Sequence, residues 1–250
     1  DATTSFGTLT ANKIETVNLT ATDVFVDSST PKDGKDNNDA THDMTFTSDT
    51  TTALNVAGTA GLDLTVTNAS KLVTIDASKM TAGLELDLTA HNGVAMTVNA
   101  GSGADVLKAS VGVNAKADIL NGGAGNDTLY AGSNGAKLTG GAGNDLFVLN
   151  ASTSSTTVKG GTKEATTHSY ITDFKAGDLL QLEFDVSGTA TAVTGFTKLA
   201  ANQSANAVYT DYVNAAMAQM NDTSAGDAVW FSFAGNSYVI VDSDTDSDGT

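Results

Sequence analysis

The chain of 250 residues contains no cysteine, no arginine and a single proline. Without cysteine the fold has no disulfide to staple it. Twelve lysines against 29 acidic residues give a net charge of −17, which argues against nucleic-acid binding because phosphate groups need clustered cations. The same charge disfavours docking on anionic lipid, and the absence of any run of about 18 apolar residues predicts no insertion into a membrane.

The sequence motifs of common enzyme classes are missing as well. There is no H-E-x-x-H, no G-x-S-x-G and no P-loop. The histidines at positions 42, 91 and 168 are widely spaced in polar contexts. Carboxylate pairs are plentiful, but nothing marks one as a glycosidase pair, and aromatic residues that could form a sugar platform are scarce. We therefore expect no enzymatic activity.

What the chain does contain is a repeated glycine- and aspartate-rich motif. Residues 122–130 read GGAGNDTLY and residues 140–148 read GGAGNDLFV, and the two copies start 18 residues apart, which is two nonapeptides. Residues 131–139 between them form a degenerate copy that keeps an apolar residue, Leu138, at the eighth position. Two copies in phase, with a degenerate copy between them, are typical of a parallel β-roll.

This spacing supplies what a calcium ion needs. Calcium takes about six to eight oxygen ligands in flexible geometry. Glycine tolerates positive φ and so lets a turn curl its carbonyls inward, while the aspartate at position six adds charge. In a roll with two nonapeptides per coil, turns 18 residues apart stack on the same side and share an ion. The alternative is a turn array without an ion. The predicted calcium-binding residues of the two turns are Gly122, Gly123, Gly125, Asn126, Asp127, Gly140, Gly141, Gly143, Asn144 and Asp145.

Two weaker copies lie upstream. Residues 100–108 fit the motif with alanine for the first glycine, and their candidate ligands are Gly101, Gly103 and Asp105. Residues 113–121 have lost the glycines but keep Asp118. The four residues 109–112 break the phase between these copies, so we expect the upstream turns to stack less well. Asp105 and Asp118 are either ligands or solvated turn residues.

The side of the roll that carries Asp118 is predicted to bind calcium weakly or not at all. The coil that follows Asp118 offers residues 133–136 (SNGA), which contain no carboxylate.

These nonapeptides resemble those of the repeats-in-toxin (RTX) family, whose members leave Gram-negative bacteria by type I secretion. Residues 171–182 (ITDFKAGDLLQL) resemble the segment that follows the roll in many such proteins, and residues 230–242 resemble their closing hairpin. The resemblance implies several bound Ca²⁺ ions, an extracellular location and calcium in place of disulfides. Asp173 and Asp178 in the first of these segments are further candidate ligands.

The remaining sequence is rich in strands. Residues 1–99 alternate apolar residues with threonine at period two, and they loosely resemble the Thr/Ala-rich repeats of bacterial surface-layer and adhesin-like proteins. Residues 28–43 interrupt this pattern and read as a loop, either solvated or holding an ion. We predict an all-β fold: a parallel β-solenoid or β-roll with RTX calcium-binding turns. Its regions are 1–99, a β-solenoid or stacked-sheet region; 100–150, the calcium-binding roll; and 151–250, a small cap.

The predicted cap has one helix and a β-hairpin. The helix is expected from Ser204, its candidate N-cap, to Met220, with Val208, Tyr212, Ala216 and Met220 on its apolar face. The hairpin is expected over residues 228–241, with its turn at Gly235 and Asn236. The chain then ends in alternating carboxylates, which either bind an ion or form a frayed acidic terminus: Asp242, Asp244, Asp246 and Asp248.

The sequence predicts a structural role. We expect the chain to be the C-terminal part of a longer surface-layer (S-layer) protein that self-associates into a lattice in the presence of calcium on the cell surface. Contact with cell-surface polysaccharide would involve regions outside this chain. The alternatives are the stalk of a large adhesin and the non-catalytic secretion or folding tail of a hydrolase.

Overall fold

The computed structural model describes most of the chain in two compact units. The described residues are 3–22, 41–111, 116–132, 135–151, 169–185, 190–192, 195–199, 207–219, 227–233 and 236–241. The first unit comprises residues 1–149 and 166–181, and the second comprises residues 150–165 and 182–250. The three regions predicted from the sequence stay a prediction. The four aspartates predicted to bind an ion at positions 242–248, and most of the predicted loop 28–43, lie outside the described residues.

The first unit is a parallel β-solenoid, as predicted. Its strands are β1 (Thr3–Thr10), β2 (Thr16–Ala21), β3 (Thr41–Thr47), β4 (Ala53–Gly58), β5 (Gly61–Val66), β6 (Thr74–Met80), β7 (Leu84–Asp87), β8 (Thr97–Asn99), β9 (Val106–Lys108), β10 (Asp118–Ala124), β11 (Thr128–Tyr130), β12 (Ala136–Ala142), β13 (Leu146–Ala151) and β14 (Tyr170–Ile171). One sheet has the order β1-β3-β5-β7-β9-β11-β13 and the other β14-β12-β10-β8-β6-β4-β2. Because successive strands alternate between the sheets, each coil places one strand in each.

The apolar residues of successive coils stack in register to form the core. In the first sheet the stack is Leu64, Leu86, Leu107, Leu129 and Phe147. In the second sheet it is Leu54, Ile75, Val98, Leu120 and Leu138. All ten side chains are fully buried. One core therefore runs from the Thr/Ala-rich coils through the glycine-rich repeats.

The extra residues 109–112 do not disturb this stack, and the prediction of poorer upstream stacking is wrong. Val106 pairs with Thr128 and Leu107 with Leu129, both in register. The N–H of Ala109 still donates to the carbonyl of Tyr130 at 3.1 Å. The insertion lies in the sequence between β9 and β10, so the added length falls between strands whose pairing is unchanged.

The second unit contains a short helix against a three-stranded sheet. Its elements are β15 (Leu179–Asp185), which begins within the first unit, β16 (Ala190–Ala192), β17 (Gly195–Lys198), α1 (Tyr209–Gln219), β18 (Asp227–Phe233) and β19 (Asn236–Val241). Sheet order is β17-β18-β19, and its buried core is Leu199, Ala216, Val229 and Phe231. No helix among the described residues is long and apolar enough to cross a membrane.

The helix begins later than predicted. The N–H of Val208 donates to Asp211 Oδ2 at 2.9 Å, so a carboxylate within the first turn satisfies a free backbone donor at the helix start. The predicted cap and end, Ser204 and Met220, lie outside the described residues, but residues 207–208 precede the helix. Tyr212 and Ala216 pack on the core as expected, whereas Val208 is 57% exposed because it lies before the first turn.

The predicted hairpin is present, with a two-residue connection. Phe233 pairs with Asn236, so Asn236 belongs to the second strand and not to the turn as predicted. The connecting residues 234–235 lie outside the described residues.

Removing one core leucine should destabilise the whole solenoid. Leu129→Ala leaves a cavity between Leu107 and Phe147 and should lower the free energy of unfolding by about 2–5 kcal/mol. Val73→Ala, at a position 42% exposed, should cost less than about 1 kcal/mol. Urea denaturation of both variants in saturating calcium measures the difference. Equal losses would contradict the stacked core described here.

Candidate metal centre

The two glycine-rich turns lie directly against each other, as their spacing predicts. Gly123 pairs with Gly141 and Ala124 with Ala142. The N–H of Gly125 donates to the carbonyl of Ala142 at 2.8 Å. Farther along the turn, the Asn144 N–H donates to Asn126 Oδ1, also at 2.8 Å. Neighbouring turns are therefore held in register by main-chain and asparagine side-chain contacts.

The first two glycines of each turn have different physical roles. A Cβ at Gly122 would collide with the carboxylate of Asp127, and one at Gly140 would collide with that of Asp145. The first glycine therefore leaves room for the aspartate of its own turn. Gly123 has a φ of +102°, and a Cβ there would also strike the carbonyl oxygen of Gly101 in the preceding coil. A side chain at this position would meet both backbone strain and a clash.

The aspartates form a ladder along one edge of the solenoid. Asp105 Oδ1 accepts the N–H of Leu84 at 2.7 Å. In the same way, the carboxylate of each later aspartate accepts the main-chain N–H of the aspartate one coil earlier. These pairs are Asp127 Oδ1 with Asp105 N at 2.8 Å, Asp145 Oδ1 with Asp127 N at 3.1 Å, and Asp178 Oδ1 with Asp145 N at 3.0 Å. The sequence indicated stacked turns, but nothing in the repeat pattern showed that each carboxylate also ties its coil to the preceding one.

These carboxylates are buried, and burial penalises their charge. Asp105, Asp127 and Asp145 are each 1% exposed. Burial, reinforced by the charge of Asp127, raises the pKa of Asp105 to about 7. Burial, reinforced by Asp145, raises the pKa of Asp127 to about 6. Asp127 Oδ2 is also buried without a hydrogen-bond partner. A cation beside this oxygen would satisfy it and offset the charge.

The available donors suit calcium better than a transition metal. No group of three or more His, Cys, Asp or Glu side chains comes together among the residues that the structure describes. An ion between the turns would therefore depend on main-chain carbonyls together with one or two carboxylates. Calcium accepts such an all-oxygen, irregular set, whereas zinc selects nitrogen and sulfur ligands. The turns 122–127 and 140–145 are the residues that would hold it.

Gly101, Gly103 and Asp105 continue the same stack upstream. The N–H of Gly101 donates to Asp105 Oδ2 at 3.2 Å, and a Cβ at Gly125 would collide with the carbonyl oxygen of Gly103. The turn 100–105 therefore lies against 122–127 in the way that 122–127 lies against 140–145. Their ligand role stays a prediction.

Asp118 lies in the other sheet and has a different environment. Its Oδ1 accepts the N–H of Met96 at 2.8 Å, and its Oδ2 accepts the N–H and hydroxyl of Ser110 at 2.8 and 2.6 Å. Both oxygens are thus occupied by protein donors, in contrast to Asp127 Oδ2. This arrangement favours a structural role for Asp118 in joining β8 and β10 to the residues after β9.

Asp173 and Asp178 belong to a final coil that covers the last glycine-rich turn. Asp173 accepts the N–H groups of Gly140 and Gly141 at 3.0 and 2.7 Å. Asp178 accepts the N–H of Lys175 at 2.9 Å in addition to that of Asp145. The structure therefore brings both predicted aspartates to the stack, through bonds to main-chain amides.

Sequence reasoning missed Lys175. Its Nζ donates to the carbonyl oxygen of Gly141 at 2.8 Å and lies 3.2 Å from Asp145 Oδ2 and 3.3 Å from Asp178 Oδ1. Burial alone would lower the pKa of Lys175, but the hydrogen bonds to Asp145 and Asp178 outweigh it and leave the pKa raised. The only signal in the sequence was a lysine beside the D-F motif, which by itself is an ordinary surface residue.

A fold with stacked turns, buried aspartates and in-register glycines defines a calcium-binding parallel β-roll. The family model of the RTX calcium-binding nonapeptide repeat, which describes four copies, matches residues 99–135 and 113–147. The chain thus carries RTX calcium-binding repeats, and this match is consistent with several bound Ca²⁺ ions. Proteins with such repeats are typically secreted. No curated protein matches the chain.

The turns 122–127 and 140–145 should lose calcium as a unit. Asp127→Asn keeps an acceptor for the N–H of Asp105 but removes the charge, as Asp145→Asn does for Asp127. Each should weaken calcium binding by about tenfold or more. The double variant should lose less than the sum of the two, because both side chains serve the same stacked turns. Isothermal calorimetry of the three variants provides the comparison.

Asp118→Asn is the matched control for these substitutions. It removes the same charge from an equally buried aspartate, but both oxygens of this aspartate already accept hydrogen bonds from the protein. Its calcium affinity should remain close to that of the wild-type chain, although its stability should fall. If Asp118→Asn weakens calcium binding as much as Asp127→Asn does, the assignment of the two sides of the roll is wrong.

Acid should partly replace calcium in ordering the roll. The pKa values of Asp105 and Asp127, about 7 and about 6, lie above the unfolded value of about 3.9, so the folded chain binds more protons than the unfolded chain between these limits. In EDTA, this contribution to stability is full below pH about 4 and is lost as the pH rises to about 7. Circular dichroism in EDTA should show a larger folded fraction at pH 5 than at pH 7.5. A smaller folded fraction at pH 5 would contradict the raised values.

Proposed function

We propose that this chain is a structural, non-catalytic part of a secreted bacterial S-layer protein whose assembly requires calcium. The observation that carries the proposal is the single core that runs through both the Thr/Ala-rich coils and the RTX repeats. A solenoid of this kind is a repetitive body in which each coil contacts only its neighbours. Order imposed by calcium at the repeats can therefore pass along the body to coils that hold no ion.

The acidic composition couples this order to calcium. A net charge of −17 opposes compaction through self-repulsion. An ion that binds only the folded roll stabilises it by mass action. We infer that the chain stays poorly ordered where calcium is scarce and folds after it reaches a calcium-rich exterior, as a protein exported by type I secretion from a Gram-negative cell requires.

A column of carboxylates on the first sheet supports calcium-dependent contact between copies. Asp43 pairs with Asp63 and Asp63 with Glu85 in neighbouring strands, which lie about 4.8 Å apart. Burial, together with the charges of Glu85 and Asp43, raises the pKa of Asp63. Lys108 offsets part of this charge through an ion pair with Glu85 at 2.7 Å. Like charges held in a row repel a second copy until divalent cations neutralise them.

Self-association should therefore appear above a threshold concentration of calcium. We expect scattering to show growth of large particles, and electron microscopy to show ordered sheets, across a calcium titration at fixed ionic strength. Magnesium should be a poor substitute, because it gives up its bound water reluctantly and demands stricter geometry. A chain that is fully folded and remains monomeric at millimolar calcium would overturn the lattice proposal and favour an adhesin stalk or a hydrolase tail.

A pair of charge variants tests the role of the column. Asp63→Asn reduces the repulsion within the column, so the chain should fold at a lower calcium concentration. It also removes a group that a bridging ion would contact, so fewer ordered contacts should form between copies. Asp76→Asn removes an equal charge from the other sheet, where the side chain accepts the N–H of Ser78 at 3.1 Å. Of the two variants, only Asp63→Asn should impair the assembly of copies into ordered sheets seen by electron microscopy. Equal behaviour of the two variants would remove the column from the proposal.

A further inference from the structure

Successive coils place the same kinds of oxygen at equivalent positions along the stack. The ammonium group of Lys175 contacts three of these oxygens: Gly141 O, Asp145 Oδ2 and Asp178 Oδ1. Gly123 pairs with Gly141, and Asp127 stands to Asp145 as Asp145 stands to Asp178. One coil inward, the equivalent oxygens are therefore Gly123 O, Asp127 Oδ2 and Asp145 Oδ1.

The two equivalent positions differ in one respect. At the inner position Asp127 Oδ2 is buried and has no hydrogen-bond partner. At the outer position the corresponding oxygen, Asp145 Oδ2, has the ammonium of Lys175 at 3.2 Å. A carbonyl and two carboxylate oxygens converge on one positive charge, which is the arrangement that a calcium ion also needs.

We propose that Lys175 is a tethered cation that occupies the calcium position of the outermost coil, so that calcium must displace it to bind there. The lysine side chain is 40% exposed, so it can swing into solvent without opening the core. Its main-chain N–H donates to Asp178 Oδ2 at 2.9 Å, which keeps the loop in place when the side chain leaves.

The consequence is an order of calcium binding that starts inside the roll. The inner position has uncompensated negative charge and gains most from an ion, whereas the outer position is already neutralised in part by Lys175. The lysine would hold the last coil closed before calcium is available and would make the outer position the weakest for calcium. This inference depends on calcium binding by the repeats, and it is independent of lattice assembly.

Lys175→Met tests the inference because it keeps a long apolar stem and removes the charge. In calorimetric titrations of the whole chain, the weakest calcium-binding step should tighten by about tenfold, since a cation no longer competes with the ion. In EDTA the variant should melt at a lower temperature than the wild-type chain, and in saturating calcium the deficit should disappear. Lys175→Arg keeps the charge and should leave the weakest step close to wild type.

Lys71→Met is the control, because Lys71 is exposed and lies between β5 and β6, outside both the glycine-rich turns and the carboxylate column of the first sheet. It should leave every calcium-binding step unchanged and should have the same effect on melting with and without calcium. The inference is overturned if the calcium isotherm of Lys175→Met superimposes on that of the wild-type chain. It is equally overturned if Lys175→Met lowers the melting temperature by the same amount in EDTA and in calcium.

Discussion

The structure depends on the ladder of buried aspartates, Asp105, Asp127, Asp145 and Asp178, that runs along one edge of the solenoid. Each aspartate in this ladder ties its coil to the preceding one by accepting a main-chain N–H, and its side chain is buried. For Asp105 and Asp127, burial at this position also penalises the charge and raises the pKa of each carboxyl. A cation beside these carboxylates offsets that penalty, and Lys175 supplies one to Asp145 at 3.2 Å.

The hydrophobic core and the aspartate ladder both repeat once per coil. Every coil adds buried apolar side chains to both sheets and, in the repeat region, one aspartate to the ladder. For this reason the core can continue from coils without glycine-rich turns into coils that have them, as the pairing of Leu86 with Leu107 and of Leu107 with Leu129 shows. The Thr/Ala-rich coils therefore share one hydrophobic core with the coils that carry the repeats.

The sequence predicted the class of fold and the stacked turns because both are set by local period. Apolar residues at alternate positions specify strands, and glycine-rich motifs 18 residues apart specify turns on the same side. The predictions that were wrong, the stacking near residues 109–112 and the start of the helix, concern features that depend on residues distant in the sequence or on local side-chain contacts. The insertion at 109–112 breaks the sequence period but not the register, because length added between strands leaves their pairing unchanged. The helix starts at Tyr209, later than predicted, and Asp211 inside its first turn accepts the N–H of Val208.

The sequence by itself determined that this is an acidic, cysteine-free parallel β-roll with calcium-binding repeats, because charge, composition and repeat period are properties of the linear chain. The tertiary structure decided which carboxylates are available to an ion. Asp118 and Asp127 occupy the same position of the repeat, but protein donors take both oxygens of Asp118 and leave one oxygen of Asp127 without a partner. It also brought Lys175 to Asp145, 30 residues away, because a contact of that kind exists only once the last coil has closed over the turn.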